Sequence, residues 1–307
     1  MKAGKITKQD INLLSFTAEY RFLTVKQLAA LARRSDQVIR RRLRYFSSEN
    51  LVLINERGLG HGPGRRENIV ILTETGMDLL NDRGILSKHA IYTTNKGIDS
   101  FFIDHDLMVN WFFIHLIQMS RDNPLFSIKH MTTSSHNLQD GDIDNPLLME
   151  RFTSDDHSEE TITMIPDGVF TITNTKLDKS LLFFLEVDMG TETLATTNRS
   201  PGDVRQKVLN YQTLFHRNRY KRYRKIFTAQ FNGFRLLFVA NTAARMKALC
   251  DLIQGMPPSD FIWITELDKM FSKGISAGIW ARGGLYNKPS ESILGSKLAF
   301  KSTVLRK

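Results

Sequence analysis

Four residues in the second half of the chain have the types and the spacing to do chemistry: Asp167, Glu186, Asp188 and Lys207. The stretch IPDGVFTITNTKLDKSLLFFLEVDMGTE, residues 165–192, alternates in period two over its first part, turns at NTKLDK and runs largely apolar afterwards, which predicts a β-hairpin. With the turn centred between Lys176 and Leu177, Asp167 falls opposite Glu186, and Asp188, two residues on, shares the face of Glu186. Carboxylates converging at one end of a greasy hairpin are costly unless something pairs their charge. A hard divalent cation is the usual partner, and Mg²⁺ is typically held by one or two carboxylates plus phosphate oxygens. Asp167, Glu186 and Asp188 are therefore the candidate metal ligands, and with Lys207 the candidate catalytic residues.

A helix must bring Lys207 to the carboxylates. Ser200 is suited to cap it, Pro201 to stand at its first position and Asp203 to follow three residues after the cap. Val204, Lys207, Val208 and Tyr211 fall at i, i+3, i+4 and i+7, so Lys207 lies on the face that packs toward the sheet.

An Asp, then Glu-x-Lys on the next strand, then a helix is the core of the PD-(D/E)XK nuclease superfamily, which this arrangement resembles. The form found here, PD at 166–167, FFLEVDMGTE at 183–192 and K-x-x-x-Y from Lys207 to Tyr211, resembles the replication-relaxation family of plasmid and mobile-element proteins over residues 5–270. The resemblance implies an N-terminal winged helix joined to a nuclease-like domain. Asp188 stands where the nuclease lysine belongs, which leaves two readings open: the cation has migrated to Lys207, or catalysis is lost. The resemblance also implies a His on the first core helix, where His105 lies; a hydrogen-bonded core histidine is the alternative.

The chain has 307 residues, room for two domains, and 41% hydrophobic content, enough for packed cores. Its net charge of +10 points to nucleic acid or another anionic surface. The single Cys250 excludes an intrachain disulfide and suits a reducing, cytoplasmic location. The polar opening, residues 1–8, predicts no signal peptide, and the longest apolar stretch, residues 107–119, is too short and too interrupted to predict a membrane span.

Residues 5–86 read as a winged helix-turn-helix. The spacing predicts a helix over Lys8–Glu19, a second helix VKQLAALA capped by Thr24, and a third, DQVIRRRLRYFSSEN, capped by Ser35. Ile39, Leu43 and Phe46 form the inward stripe of the third helix, leaving Gln37, Arg40, Arg41 and Arg44 where a recognition helix meets the major groove. Two strands, 51–55 and 68–72, flank ERGLGHGPGRRE. Its glycines join strand to strand, so a flexible wing is predicted and not a nucleotide loop, with Arg57, His61, Arg65 and Arg66 available to the DNA backbone or minor groove. TETGMDLLNDRGI closes the domain as a helix capped by Thr73. Residues 1–88 hold 16 Lys+Arg against 9 Asp+Glu, which favours DNA over a protein partner for this unit.

Residues 87–100 read as a linker, and the helix that follows is apolar nearly all round, hence buried on more than one side. Residues 121–163 read as a variable polar and acidic loop carrying an edge strand near 126–131. DGDIDN within it departs from a calcium loop at Asn145 and Arg151. Beyond Tyr211, HRNRYKRYRK interleaves cations with Tyr220 and Tyr223. Arg219, Lys221 and Arg222 are candidate DNA contacts, with tyrosines to stack on bases, and a solvated helix end is the alternative. A strand at 234–240, a helix NTAARMKALCDLI and a strand at 261–265 complete the second domain, 98–272, and residues 283–307 read as a loose basic tail.

The expected fold is thus mixed α/β (α+β), a winged helix-turn-helix followed by a restriction-endonuclease-like α/β domain. The expected function is a DNA-binding protein of plasmid or mobile-element replication and maintenance, with double-stranded DNA as partner, no membrane, and a homodimer of the kind winged helices often form. Two alternatives stay open: a Mg²⁺-dependent endonuclease or nickase, and a transcription repressor.

Overall fold

The computed structural model describes residues 6–57, 66–86, 102–132, 148, 150–153, 161–195, 203–300, 302–303 and 305. These divide into two compact units, one up to Ile114 and one from His115 onward. The division falls inside a long helix and not at the expected linker, residues 87–100, which lies outside the described residues.

In the first unit, α1 (Lys8–Glu19), β1 (Phe22–Thr24), α2 (Val25–Ala32), α3 (Asp36–Ser48), β2 (Val52–Asn55), β3 (Ile69–Leu72) and α4 (Glu74–Asp82) follow the predicted order. The predicted caps are in place: Thr24, Ser35 and Thr73 each accept a backbone N–H from the first turn of their helix. The strands form an antiparallel sheet in the order β1-β3-β2, the winged-helix arrangement. The short β1 carries no alternation to read, because all three of its residues are buried.

One ion pair ties the unit's helices together. Thr7 caps α1 in a capping box with Asp10, whose carboxylate also accepts two bonds from Arg42 of α3, Nε to Oδ1 at 2.7 Å and a terminal nitrogen to Oδ2 at 2.6 Å. Burial works to raise the Asp10 pKa, and the bonds from Thr7 and Arg42 reverse that and hold it low. The first half of α5 (Ile103–Asp122) belongs to this unit. Its Leu107 carbonyl accepts from Gln27, and its Asn110 donates to the carbonyl of Phe22 at 2.9 Å.

The second unit is built on a six-stranded mixed sheet. Its strands are β4 (Phe126–Thr132), β7 (Gly168–Asn174), β8 (Lys179–Asp188), β9 (Phe234–Ala240), β10 (Ile262–Glu266) and β11 (Ala281–Arg282), and the order is β11-β10-β9-β8-β7-β4. A separate hairpin pairs β5 (Glu150–Thr153) with β6 (Thr161–Met164). The β4-β7-β8 portion is an antiparallel meander with β4 at the sheet's edge, as predicted, while β8, β9 and β10 run parallel. The helices are α6 (Val204–His216), α7 (Tyr223–Phe227), α8 (Ala243–Gln254) and α9 (Leu267–Lys273). α8 buries Met246, Leu249, Cys250 and Ile253.

Two expectations need correction here. Asp203, not Ser200, caps α6: its carboxylate accepts the Gln206 N–H at 2.7 Å, while Ser200 and Pro201 lie outside the described residues. The chain after Gly283 is not a loose tail up to residue 300. Ser292, Ile293 and Leu294 are buried, Trp280 pairs with Glu291, and Phe300 stacks on Phe126. Its apolar residues follow no helical or strand period in the sequence, and backbone carbonyls help to hold it: Arg235 donates to that of Ile293 and Ser276 to that of Phe300.

Replacing Arg42 by Met leaves the buried Asp10 carboxylate without its cation. The expected cost is about 2 kcal/mol, less than for a fully buried pair because Arg42 is partly exposed. Urea unfolding followed by circular dichroism measures it, and an unchanged midpoint would show the pair to be dispensable.

Candidate functional site

The hairpin register places the carboxylates. Gly168 pairs with Leu185 and Val169 with Phe184, so Asp167 stands across from Glu186 as the turn position predicts. The Asp167 N–H continues the ladder to the Leu185 carbonyl, and its carboxylate turns back to accept the Val187 N–H at 2.7 Å. Glu186 is 2% exposed, at the end of a run of fully buried residues from Leu182.

α6 supplies what that buried charge needs. Lys207 donates to Glu186 Oε2 at 2.9 Å, and Tyr211, one turn further, donates to Oε1 at 2.5 Å. Lys207 also reaches both oxygens of Glu192, each at 3.1 Å. Burial dominates the titration here. It pushes Glu186 up to about 7, assisted by the charge of Asp167 and opposed by Lys207, while the surrounding carboxylates outweigh burial at Lys207 and raise its pKa. Burial first and Glu186 second push Tyr211 well above its ordinary value, so it stays a proton donor.

Asp188 does not join this group. Its Oδ2 accepts from Arg245 Nε of α8 at 2.9 Å and its Oδ1 from the Gly190 N–H at 2.6 Å. Gly190 takes φ +79°, a conformation side chains rarely adopt, and this sharp turn brings the chain round toward Glu192. Arg245 also donates to the Glu192 carbonyl at 2.6 Å. The sequence therefore brings Asp167, Glu186 and Lys207 together and sends Asp188 to a different cation.

Tested against Mg²⁺, the residues do not fit as they stand. Both oxygens of Glu186 and both of Asp188 already accept hydrogen bonds, and among the described residues no three acidic, His or Cys side chains group so as to hold a metal ion. Glu192 and Arg245 carry no signal in the sequence that marks them as site residues. Glu192 lies in the quoted GTE turn, and its distance from Glu186 gave no periodic signal. Arg245 arrives 57 residues after Asp188 with nothing local to mark it.

The cationic stretch after α6 differs from the base-stacking expectation. Tyr220 and Tyr223 are buried. Tyr220 stacks on Phe215, and Tyr223 packs edge-on to Phe184 and donates to Glu150 of β5 at 2.7 Å. Arg222 reaches the same Glu150 at 3.2 Å, while Arg219 and Lys221 are exposed. Glu150, unassigned from sequence, is buried, and that burial raises its pKa against the pull of Tyr223 and Arg222. His105 sits on α5 with Nδ1 3.2 Å from Asp106 Oδ1, about a quarter exposed.

In the first unit, Gln37, Arg40, Arg41 and Arg44 are all exposed on α3, opposite buried Ile39, Leu43 and Phe46. Arg57 and Arg66, at the two ends of the expected wing, both pair with Asp104, at 2.7 and 3.5 Å. His61 and Arg65 lie outside the described residues.

Fold and site together define a winged-helix unit followed by a mixed α/β unit with an acidic, lysine-bound centre. The model of the replication-relaxation family matches residues 14–229, and the chain belongs to that family. No curated protein matches it. Among solved structures it is similar to a MarR family transcriptional regulator from Silicibacter pomeroyi DSS, with 23% identity over 36% of this chain and 70% of that one and a TM-score of 0.22. No described helix is long and apolar enough to cross a membrane.

A carboxyl raised by folding binds its proton more tightly in the folded chain than in the unfolded one. Its stabilising contribution is complete below the ordinary carboxylate range and is lost as pH rises to about 7. Wild type is expected to lose on the order of 2–3 kcal/mol relative to Glu186→Gln between pH 4.5 and pH 7. Parallel stability curves of the two proteins across that range would refute the raised pKa.

Proposed function

We propose that this chain is a DNA-binding protein of plasmid or mobile-element replication and maintenance, and that α3 docks it on duplex DNA. The observation that carries this reading is the sorting of cations on α3. Arg42 turns inward to Asp10, while Arg40, Arg41 and Arg44 lie exposed with Gln37 on one face and take no acidic partner among the described residues. Exposed arginines at i, i+1 and i+4 beside an amide offer phosphate contacts and base-edge contacts from the same helix face. Family membership supports the replication context. Arg57 and Arg66 fit this reading as anchors at the base of the wing.

The second unit enters the reading as a DNA-engaging scaffold, with Arg219 and Lys221 exposed for phosphate contact and Arg222 partly committed to Glu150. An endonuclease reading would require Glu186 to release Lys207 and Tyr211, and no observation favours that exchange.

The triple variant Arg40→Ala, Arg41→Ala, Arg44→Ala is expected to keep its stability to within about 0.5 kcal/mol per site, because the positions are exposed. Its affinity for duplex DNA should fall at least about tenfold, and the slope of log K against log salt should flatten by about 2–3. Fluorescence anisotropy across a NaCl series measures both. An unchanged slope would remove α3 from the interface.

A further inference from the structure

We infer that the second unit has a nucleic-acid site of its own: a groove on the open part of its sheet that takes a single strand by its phosphates. The sheet face is the one on which α6 and α7 pack. Phe184 and Glu186 of β8 meet Tyr211 there, and Phe184 also meets Tyr223, so Ser180 and Leu182 point the same way in period two. Where α7 ends at Phe227, a groove of about 1080 Å³ opens between this face, the chain after α7 and the β7–β8 turn. Its floor is polar. Ser127 stands opposite Thr173 and Thr173 opposite Ser180, which lays three hydroxyls side by side across β4, β7 and β8, with Thr173 and Ser180 2.7 Å apart. Lys129, two residues after Ser127, shares that face.

The charge of the groove identifies its ligand. Lys207, Arg222 and Arg245 each meet a carboxylate. Lys129 and Arg224, which line the groove, do not: among the described residues Lys129 donates to the Phe227 carbonyl at 3.2 Å and Arg224 to the Phe231 carbonyl at 2.5 Å. A carbonyl fixes a cation in place without neutralising it, so both cations are held on the groove wall with their charge unspent. At the turn, Asp178 and Lys179 offset each other, and Arg235 is committed to the Ile293 carbonyl and the Trp263 ring. Lysine, arginine and hydroxyl donors together are the set that phosphate oxygens accept from. Phe227 and Phe234 also line the groove but are buried, which leaves no ring for a base to stack on, so the strand is held by its backbone. The volume is at the upper end for a small-ligand pocket, about 300–1,000 Å³, which suits a single strand and not a duplex. The inference does not depend on the docking of α3 on duplex DNA.

The test uses the full chain and fluorescein-labelled oligothymidylate, with binding read by anisotropy. The Arg40→Ala, Arg41→Ala, Arg44→Ala variant is expected to keep its affinity for this single strand, whatever it loses toward duplex DNA. Adding Ser127→Glu and Lys129→Glu, both at exposed positions, should lower that affinity at least about tenfold by reversing the charge of the floor. Undiminished binding by a folded Ser127→Glu, Lys129→Glu chain would overturn the inference, as would loss of single-strand binding through the α3 substitutions alone. If the pair of substitutions prevents folding, Ser127→Glu by itself decides in the same assay, and affinity equal to wild type refutes the groove. Displacement of the strand by polyglutamate at lower concentration than by unlabelled oligothymidylate would also overturn it, and would assign the groove to an acidic peptide.

Discussion

A carboxylate buried at the end of an apolar strand has to be compensated, and the second unit is arranged around the compensation of Glu186. α6 approaches the sheet with Val204, Val208, Tyr211 and Leu214 buried. Burial of such side chains contributes about 1.5–3 kcal/mol each, so apolar packing supplies most of the docking energy. The Lys207–Glu186 pair adds little net, because desolvation offsets the Coulomb gain. What the pair and the Tyr211 hydroxyl supply is position: α6 cannot slide by a turn without stranding the carboxylate. Asp188 does the same for α8 through Arg245. The strand between them carries two acids two residues apart, each matched to a cation from a different helix.

The elements were legible where a local signal existed. Thr24, Ser35, Thr73 and the period-two run around Phe170 marked their helices and hairpin, and the turn position alone predicted the pairing of Asp167 with Glu186. Lys207 was legible because it shares a helical face with Val204, Val208 and Tyr211. The fate of Asp188 was not. Sharing a face with Glu186 says nothing about the partner that face meets, and Arg245 reaches it from α8, beyond α6, α7 and β9. The segment 216–225 misled for a related reason. Tyrosines among cations look like a stacking surface, yet the short helical turns there rotate Tyr220 and Tyr223 into the core and leave Arg219 and Lys221 outside. The packed stretch after Gly283 shows little periodicity because carbonyl contacts and isolated buried side chains, rather than a regular face, hold it.

In the winged-helix unit, position along α3 decides between structure and surface. Arg40, Arg41, Arg42 and Arg44 are chemically alike, but only Arg42 lies where its guanidinium meets Asp10, and there it also covers the Tyr45 ring at 4.7 Å. The inward arginine stiffens the packing of α3 on α1. A surface that must keep its arginines solvated and aligned gains from a backbone held in this way, because fewer conformations have to be lost when it meets a partner.

The burial of Cys250 on the inner face of α8 has a practical consequence. Burial, reinforced by the neighbouring Asp251 and opposed by Lys269, pushes its thiol up to about 12, which disfavours the reactive thiolate, and the side chain is closed to solvent. The folded chain is therefore expected to react with maleimides as if it contained no cysteine. A single cysteine introduced on the outer face of α3 or beside Glu192 would carry a spectroscopic label alone, and distances or environments on either unit could be followed without altering the native core.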